Sequence, residues 1–420
     1  MGLPEDKTPS STTVILGGGV GGVVTANKLR QQLSPKHRVV LVEKNATHAF
    51  APSFLWVMTG DRKPEQICRP LGTLLRRGIE LVQSEVLGID LDLRKVRTNS
   101  AEIAYDRLVV ALGADLAFDA VPGLAQASHT FFTFDGATRL RDALLAFSGG
   151  RIAVVVSALP YKCPGAPHEG AMLIADYFRQ RGLSPKVEIH LFTPEPQPMP
   201  VAGPLLGEAV RAMLQVKGIK FHALHKLTSV EPEPRELTFE DRERFRYDLL
   251  VAIPPHRAPK LVVEAGLASR AGWIPVDPQT LATSQPGIYA IGDITAIPIP
   301  GRWKQDVPMM LPKAGVFAHA QAEVVAQRIA AEITGRVCEV KFCGDGYCML
   351  EAGEDLAGFA FGNFFAEPAP NVQLRQMGKA WHIGKVLFEK WWLAPMGFRR
   401  SLLASTLRAG SRFYGIPIHL

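Results

Sequence analysis

The fold of this chain is indicated by Thr12-Thr-Val-Ile-Leu-Gly-Gly-Gly-Val-Gly-Gly22, an apolar strand that runs directly into the glycine pattern G-x-G-x-x-G. The next residues, Val23–Leu33, are expected to form a helix. Gly17 would allow the tight turn, Gly19 would let the backbone approach a pyrophosphate, and Gly22 would let the helix pack on the strand. Free N–H groups at the start of such a helix favour phosphate. The order strand, glycine turn and helix therefore predicts a dinucleotide site.

A carboxylate stands where such a site binds a ribose. The apolar strand Arg38–Val42 ends on Glu43, which could accept hydrogen bonds from a ribose diol. Glu at this position, rather than Arg, favours an adenosine ribose without a 2′-phosphate. The sequence therefore favours FAD or NAD over NADP.

A second glycine-containing stretch decides between these two cofactors. Ile288-Tyr-Ala-Ile-Gly292-Asp293 is an apolar strand that ends in Gly-Asp, and a helix is expected near Ala314–Ile333. Asp293 would bond a ribityl hydroxyl, while the helix would point its N-terminus at the flavin. This stretch resembles the FAD signature of flavoproteins with two dinucleotide-binding domains. Val109-Val-Ala-Leu-Gly113-Ala114 resembles the same proteins' middle motif, so FAD is the predicted cofactor.

The predicted fold class is α/β, with two Rossmann-like domains of the disulfide-reductase type and a C-terminal amphipathic, membrane-associating region. Residues 1–115 and 285–335 would form the FAD domain, 116–284 the inserted second domain, and 336–420 the C-terminal region. The expected elements of the second domain are the strands Arg151–Val156, Val187–Phe192 and Leu249–Ile253 and the helix Gly170–Gln180.

The turn after the first strand of the second domain argues against a nicotinamide cofactor. Residues 157–167 contain one glycine and three prolines instead of a glycine fingerprint. Proline lacks the N–H group that would bind phosphate. The electron donor should therefore be something other than NADH or NADPH.

Four segments resemble the sulfide:quinone oxidoreductases and the flavin subunit of flavocytochrome c sulfide dehydrogenase. They are Phe50–Gly60, Cys163-Pro-Gly-Ala-Pro-His-Glu169, Leu311-Pro-Lys313-Ala-Gly315 and Gly346-Tyr-Cys348-Met-Leu-Glu-Ala-Gly353. The resemblance implies that Cys163 and Cys348 are the redox cysteines and that Lys313 lies at the flavin and stabilises its reduced, anionic form. It also allows Glu169 to relay protons, although an acid in the first turn of a helix is an equal alternative.

The chemistry of a paired cysteine site suits sulfide oxidation. Sulfide can open a disulfide by thiol–disulfide exchange, which leaves a persulfide on one cysteine and a thiolate on the other. Lys162 and the nearby helix are expected to lower the pKa of Cys163. Some members of the family carry a third cysteine around residues 116–135, and this chain has none between Cys68 and Cys163. The sulfur chain length and release step could therefore differ.

The other cysteines and two histidines are expected to be structural. Cys338 and Cys343 precede Cys348 at five-residue steps, a spacing that is unusual for zinc or iron–sulfur sites, so no metal is predicted. In an extended strand Cys343 would face away from the other two. Cys68 is expected to have no redox role. His129 and His168 could act as acid–base groups, but hydrogen-bonded structural histidines are favoured.

Charge is concentrated at the C-terminus. The chain has 420 residues and a net charge of +7, and residues 371–420 hold eight basic residues against one acid, Glu389. A general nucleic-acid-binding role is therefore disfavoured. No apolar run reaches the roughly 20 residues that span a bilayer, and the polar N-terminus predicts no cleaved signal peptide.

The aromatic and basic tail predicts a segment that lies in a membrane interface. In Phe398–Arg408 the residues Phe398, Leu402, Leu403 and Leu407 are expected near one helical face, flanked by arginines, and Trp391-Trp392 precedes them. A hairpin packed on the core, or a dimer contact in a homo-oligomer, is the alternative. A quinone pocket that opens toward lipid is predicted, with Phe388 and Trp391 as its walls.

Together these features predict a monotopic membrane flavoenzyme that oxidises sulfide to polysulfide or sulfane sulfur and reduces a membrane quinone. Three alternatives stay open: a flavoprotein sulfide dehydrogenase that donates to a cytochrome, an alternative NADH:quinone dehydrogenase, and a regulatory flavin-binding protein without turnover.

Overall fold

A computed structural model describes residues 8–241, 244–304, 309–416, 418 and 420 of the chain. The prediction about a signal peptide falls on the N-terminus, where residues 1–7 lie outside the described residues.

Strands and helices are interspersed along the chain, and several strands follow one another between some of the helices. The first twelve strands are β1 (Thr12–Leu16), β2 (Arg38–Glu43), β3 (Thr47–Ala49), β4 (Cys68–Pro70), β5 (Glu80–Gln83), β6 (Val86–Asp90), β7 (Lys95–Thr98), β8 (Glu102–Ala104), β9 (Arg107–Val110), β10 (Asp115–Leu116), β11 (Gly150–Val156) and β12 (Val187–Phe192). The others are β13 (Lys220–His222), β14 (Leu227–Glu231), β15 (Glu236–Phe239), β16 (Phe245–Arg246), β17 (Leu249–Ile253), β18 (His256–Arg257), β19 (Ile274–Pro275), β20 (Ile288–Ala290), β21 (Thr295–Ala296), β22 (Asp345–Gly353), β23 (Leu356–Asn363) and β24 (Asn371–Gly378). The helices are α1 (Val20–Gln32), α2 (Phe54–Thr59), α3 (Leu124–Ala127), α4 (Phe134–Ala146), α5 (Ala166–Gln180), α6 (Pro204–Val216), α7 (Lys260–Glu264), α8 (Gly315–Thr334), α9 (Lys379–Trp392) and α10 (Phe398–Tyr414).

Five parallel strands form the first sheet, in the order β20–β9–β1–β2–β5. Its central strands are continuous apolar runs that are fully buried, as expected for a parallel sheet covered on both faces. Helices α1 and α8 pack against each other beside this sheet. Because β20 pairs with β9, the chain returns to the first sheet long after it has left it.

The glycine turn is tighter than predicted. Helix α1 begins at Val20, inside the glycine pattern, instead of at Val23. Gly17 has a left-handed φ of 100°, and a Cβ added at Gly22 would stand 1.8 Å from the Gly17 carbonyl oxygen. The helix can start this early because glycine at position 22 lets its first turn lie directly on the strand.

The second sheet has four parallel strands in the order β13–β12–β11–β17. Strands β12 and β17 have the predicted bounds, whereas α5 begins at Ala166, four residues earlier than predicted. Pro167 lies in the first turn of this helix. Proline is tolerated there because the first N–H groups of a helix have no intrahelical partner, so the Pro-Gly-Ala-Pro segment starts the helix instead of delaying it.

The C-terminal region is an antiparallel sheet, β22–β23–β24, followed by α9 and α10. Helix α5 packs against β22, and α9 packs against β22 and β23. Strand β22 therefore lies between the first helix of the second sheet and the C-terminal helices. Among the described residues no helix has the length and apolar character needed to cross a bilayer. The domain boundaries proposed from the sequence remain predictions.

Replacing Gly22 with Ala is expected to lower the free energy of unfolding by more than about 2 kcal/mol, because the new Cβ would collide with the Gly17 carbonyl oxygen and such overpacking costs roughly 1–3 kcal/mol or more. Chemical denaturation of the cofactor-free protein measures this loss. Gly19→Ala is the matched control: a Cβ there meets no atom within 4 Å, so only the weaker helix cap, less than about 1 kcal/mol, should be lost. Equal stability of the two variants would contradict this account of the turn.

Candidate active site

Cys163 lies in the turn between β11 and α5 and has an unusual backbone conformation. Its φ is 57°, in the left-handed region, which costs a residue with a Cβ roughly 1–2 kcal/mol. Two backbone hydrogen bonds hold this conformation: the Cys163 N–H donates to the Lys313 carbonyl (2.6 Å), and its carbonyl accepts from the Ala166 N–H (2.9 Å). Strain that the surroundings maintain in this way is a feature of functional sites.

Cys348 lies on β22, next to the turn that carries Cys163. A Cβ added at Gly165 would stand 3.4 Å from the Cys348 sulfur and 3.4 Å from Glu169 Oε2. All five cysteines belong to the described part of the chain, and each has a free thiol. The fold thus brings together Cys163, Cys348 and Glu169, three of the predicted site residues, around Gly165.

The remaining cysteines lie elsewhere. Cys343 is exposed and Cys338 half-buried, and both precede β22, which begins only at Asp345. The three cysteines do not share one extended strand, because Gly344 has a left-handed φ of 78° just before β22 begins, so the alternation of an extended strand does not apply to them. Cys68 lies in the short β3–β4 ladder. Across the described residues no three His, Cys, Asp or Glu side chains are grouped as a metal site requires.

Both cysteines are half-buried, and desolvation of their sulfurs raises the pKa of both thiols. Loss of hydration, with the Glu169 charge beside it, raises the pKa of Cys163 to about 12, against the weaker opposing effect of Lys385. The pKa of Cys348 is raised well above its usual value by burial, Glu169 and Cys163. The predicted lowering of the Cys163 pKa is wrong, because desolvation and Glu169 outweigh the cations near the sulfur. The charge of Lys162 acts on Asp293 and His256.

A buried network of charges adjoins the two cysteines. Lys385 Nζ on α9 donates to Glu169 Oε1 at 2.7 Å, and the Glu351 N–H donates to the same oxygen at 3.0 Å. Lys385 lies 3.9 Å from the Glu351 carboxylate, which also contacts His382 Nδ1 at 2.9 Å. Burial alone would lower the pKa of Lys385, but Glu169 and Glu351 outweigh it and the pKa is raised. Glu169 is thus both a first-turn acid of α5 and one half of a buried ion pair.

The partners of Glu169 are not recognisable from the sequence. Lys385 is one of the eight basic residues of the segment 371–420, and nothing local to it indicates a carboxylate so distant in the chain. Glu351 offered a weak signal, since it is a charged residue within the apolar run Met349–Ala352. His382 offered none.

The two candidate acid–base histidines do not join this network. His168 is fully buried, and neither of its ring nitrogens has a hydrogen-bond partner among the described residues, so the expectation of a hydrogen-bonded structural histidine is wrong for it. Burial lowers its pKa to about 3, and its ring lies 6.2 Å from that of Phe221. His129 is half-buried, with its backbone paired to β17.

Lys313 is held by backbone carbonyls. Its ammonium donates to the carbonyl oxygens of Asp293 (2.6 Å) and Thr295 (2.9 Å) and lies 3.5 Å from the centre of the Trp273 ring. Burial, partly opposed by Asp293, lowers its pKa to about 8. A single cation is thereby fixed beside the N-terminus of α8, and the segment that carries it also bonds the backbone of Cys163.

The first glycine turn has the geometry that a dinucleotide requires. Glu43 Oε2 accepts from the Gly18 N–H at 2.6 Å, and Oε1 accepts from the N–H and amide of Asn45. No side chain caps the N-terminus of α1, and a Cβ at Gly19 or Gly113 meets nothing within 4 Å.

The carboxylate of Asp293, the predicted contact of the ribityl chain, has a buried oxygen, Oδ1, that lacks a donor among the described residues. A buried carboxylate oxygen left in this way needs a donor, since an unmet bond costs roughly 1–3 kcal/mol. The uncapped helix and the open glycine positions supply phosphate donors, and Asp293 supplies an acceptor for a hydroxyl. These residues fit FAD.

The strand ends of the second sheet are occupied by side chains of the chain itself. Beyond β12, Glu195 is buried and accepts hydrogen bonds from the Tyr161 hydroxyl (2.8 Å) and the Thr193 hydroxyl (3.1 Å). Burial raises the pKa of Glu195 to about 7. Open α/β sheets bind ligands at these carboxyl ends. Here Tyr161, which belongs to the proline-rich turn, lies against this end.

Part of the predicted membrane segment is buried. Trp391 and Trp392 belong to the main hydrophobic core, so the interpretation of this pair as interfacial aromatics is wrong. The Arg400 guanidinium donates to the carbonyls of Trp391, Trp392 and Ala394 at the end of α9. The four apolar residues predicted to share one face of α10 are divided, because Leu407 is buried while Phe398 and Leu402 are exposed. Phe388 lies beside Trp391 and Phe50, with ring centres 5.2 and 6.1 Å apart.

The chain is similar to known proteins along most of its length. The family model described as pyridine nucleotide-disulphide oxidoreductase matches residues 11–322. The sulfide-quinone reductase of Aquifex aeolicus is 29% identical over 393 residues, covering 90% of both chains. The mitochondrial sulfide:quinone oxidoreductase of Mus musculus is 27% identical over 303 residues, which cover 68% of this chain and 66% of the mouse protein.

A solved structure has a similar fold over almost the whole chain. The X-ray structure of the sulfide:quinone oxidoreductase from the hyperthermophilic bacterium Aquifex aeolicus superposes with a TM-score of 0.82 at 26% identity. The superposition covers 96% of this chain and 92% of that one. The similarity therefore includes the C-terminal sheet and helices as well as the two parallel sheets.

Replacing Lys385 with Met is expected to lower the free energy of unfolding by roughly 3–5 kcal/mol, because Glu169 and Glu351 would stay buried without their cation. The double variant Lys385→Met, Glu169→Gln should recover part of this loss, since the buried charge is removed with its partner. Denaturant titration of the four proteins in this cycle measures the coupling. Lys379→Met, an exposed residue at the start of α9, is the control. Independent, additive losses at 169 and 385 would contradict a buried pair.

Proposed function

The chain belongs to the pyridine nucleotide-disulphide oxidoreductase family, and within it we propose that the protein is a sulfide:quinone oxidoreductase that uses FAD. The observation that carries this proposal is the proximity of the two cysteines: the Cys348 sulfur lies beside Gly165 and Glu169, and Cys163 contributes to the raised pKa of Cys348. The paired charges of Glu169 and Lys385 act on both sulfurs. The similarity to the Aquifex aeolicus enzyme along nine tenths of both chains supports it.

FAD would be held by the residues of the first sheet. The glycine turn, with Gly17, Gly19 and Gly22, and the uncapped end of α1 would bind the pyrophosphate, while Glu43 would bind the adenosine ribose. Gly113, where a Cβ would meet nothing within 4 Å, would leave room for the cofactor. Gly292 would let α8 approach the cofactor turn, since a Cβ there would stand 3.1 Å from Ala318 Cβ, and Asp293 would accept from a ribityl hydroxyl. When bound, FAD supplies the two-electron chemistry that links sulfide oxidation to quinone reduction.

Cys163 and Cys348 would carry the sulfur. Sulfide attacks a disulfide between them, so that one S–S bond forms as another breaks, leaving one cysteine as a persulfide and the other as a thiolate. Both thiols have raised pKa values, so a thiolate formed here needs a nearby cation and a proton acceptor. Lys385 supplies the charge, and Glu169 is the carboxylate placed to take up and release the proton. Polysulfide or sulfane sulfur would be the product.

Lys313 would act on the reduced cofactor by charge alone. Its ammonium is fixed by two carbonyls near the N-terminus of α8. It would therefore stabilise negative charge on the reduced cofactor without any movement of its side chain.

The C-terminal helix would bring the protein to its quinone. On α10 the exposed side chains Phe398, Leu402 and Phe413 recur at helical spacing, with Phe398 and Phe413 84% and 83% exposed. The exposed residues Arg399, Arg408 and Arg412 lie on the same helix. An apolar stripe between arginines suits a helix lying in an anionic membrane interface. Phe388 and Trp391 remain the proposed walls of the quinone pocket.

The alternative NADH:quinone dehydrogenase is opposed by the occupied strand ends of the second sheet. The Tyr161–Glu195 hydrogen bond stands there, and Glu195 is buried. A dehydrogenase that donates to a cytochrome would need no exposed apolar stripe on α10, and a regulatory flavoprotein would need no paired cysteines.

Anaerobic titration of the FAD-loaded protein tests the proposal. Sulfide is expected to bleach the flavin absorbance, and a soluble quinone should restore it, while NADH should have no effect. Cys163→Ser and Cys348→Ser should each lower sulfide-driven quinone reduction at least about 1000-fold, because thiol–disulfide exchange needs both sulfurs. Both variants should retain FAD.

Cys343→Ser is the matched control, since this cysteine is exposed and outside the site, and it should turn over like the unchanged protein. Bleaching by NADH and not by sulfide would establish a pyridine-nucleotide dehydrogenase. Near-normal turnover of either active-site variant would overturn the sulfur mechanism.

Phe398→Ser together with Phe413→Ser is expected to reduce binding to anionic phospholipid vesicles by about tenfold or more, because two largely exposed aromatic side chains would be lost from the apolar stripe. Co-sedimentation with the vesicles measures it. Leu93→Ser removes an exposed apolar residue from the turn between β6 and β7 and should leave binding unchanged. Equal binding of all three proteins would argue that α10 does not contact the membrane.

A further inference from the structure

His48 connects the glycine turn to the C-terminal helices. Its Nδ1 lies 2.9 Å from the Gly18 carbonyl oxygen, and its Nε2 lies 2.8 Å from Trp392 Nε1 at the end of α9. Both His48 and Trp392 are buried. The contact therefore joins residues at opposite ends of the sequence inside the protein core.

The hydrogen-bond direction through this histidine follows from its two partners. An indole N–H can only donate, so Nε2 of His48 must accept. A carbonyl oxygen can only accept, so Nδ1 must carry the hydrogen. The ring is therefore the neutral Nδ1–H tautomer, and a single orientation of its hydrogen satisfies both contacts.

The other side of the same glycine is also held. The Gly18 N–H donates to Glu43 Oε2 at 2.6 Å, and the Gly18 carbonyl accepts from His48. Gly18 lies within the G-x-G-x-x-G turn. The N–H of Gly18 is thus held by the Glu43 carboxylate, which is proposed to bind the ribose. Its carbonyl is held by His48, which is in turn hydrogen-bonded to Trp392.

Helix α9 is docked on this part of the molecule by further polar contacts. Glu389 accepts from the Ser53 hydroxyl at 2.7 Å and from Arg62 at 3.1 Å, and it is buried. The Met396 N–H donates to the Thr73 carbonyl just beyond the helix. These contacts fix the end of α9. The hydrogen bond from Trp392 then fixes the position of the His48 ring relative to this helix.

We propose that His48 is a positioning residue that couples the docking of α9 to the conformation of the glycine turn, so that FAD binding and C-terminal docking strengthen each other. The proposal rests on the proposed function, because it takes FAD to be the molecule bound at that turn. His48 acts through Gly18 and Glu43 and need not touch the cofactor.

Coupling of this kind is reciprocal. If docking of α9 improves FAD affinity by some factor, FAD must stabilise the docked helix by the same factor. One hydrogen bond contributes an amount equivalent to roughly 2- to 10-fold in an equilibrium constant. Loss of the hydrogen bond should therefore change FAD affinity only modestly. It should also change the hydrogen exchange of the α9 backbone, which is distant from the glycine turn.

Trp392→Phe removes the indole N–H and keeps most of the buried ring. FAD affinity, measured by flavin fluorescence on release, is expected to fall about 2- to 10-fold. Hydrogen exchange across residues 379–392, measured with and without FAD, gives the second readout. FAD should slow exchange there in the unchanged protein, and the slowing should shrink or vanish in Trp392→Phe.

His48→Asn is the second variant. It leaves the Trp392 ring in place, so it can be tested even if Trp392→Phe does not fold. The asparagine amide can donate to the Gly18 carbonyl but cannot reach Trp392. It should show the same loss of coupling as Trp392→Phe, and the double variant should lose no more than either alone. Trp381→Phe, which removes an indole N–H bonded to the Gln376 carbonyl at the other end of α9, should preserve both readouts.

FAD protection of α9 that persists in both variants, or losses of affinity that add in the double variant, would overturn the proposal. A purely structural role would lower the melting temperature and leave the FAD-induced protection in place. Failure of the proposed function is distinguishable, because then the unchanged protein would bind no FAD or would show no sulfide-dependent bleaching.

Discussion

The ion pair between Lys385 and Glu169 is the interaction on which the site depends. Both side chains are buried, at 9% and 3% exposure, and their charged atoms lie 2.7 Å apart. Desolvating two charges costs several kcal/mol each, and only a close pair with further hydrogen bonds compensates for it. Glu351 and Met349 supply those further contacts from β22. Helix α5, strand β22 and helix α9 are therefore held in one arrangement, and the two cysteines lie where they meet.

The same burial explains the chemistry of the cysteines. Desolvation raises the pKa of both thiols, and a nearby positive charge therefore favours a thiolate here. Lys385 provides that charge and is held charged by two carboxylates. When sulfide opens a disulfide between the two cysteines, the cysteine that leaves as a thiolate would be stabilised by this fixed cation.

The C-terminal segment illustrates why composition alone misleads. Tryptophans and arginines characterise membrane interfaces, and they also characterise buried protein contacts, because both environments combine an apolar body with polar partners. The Trp392 indole N–H donates a hydrogen bond to His48. The Arg400 guanidinium donates to three backbone carbonyls at the end of α9. The aromatic residues that lie farther along, Phe398, Phe413 and Tyr414, are exposed on α10.

The sequence by itself determined the local elements and their chemistry. Strand β1, the glycine turn, Glu43, Asp293 and the cysteine turn were recognisable because hydrophobic runs, backbone freedom and charged ends act over a few residues. Only the tertiary structure decided which distant groups meet. It put Lys385 beside Glu169, Tyr161 against Glu195 and Trp392 against His48, and it made the Cys163 thiol harder to ionise where its neighbour Lys162 predicted the opposite. The physical reason is that desolvation and charge pairing depend on separation in space, to which separation along the chain is no guide.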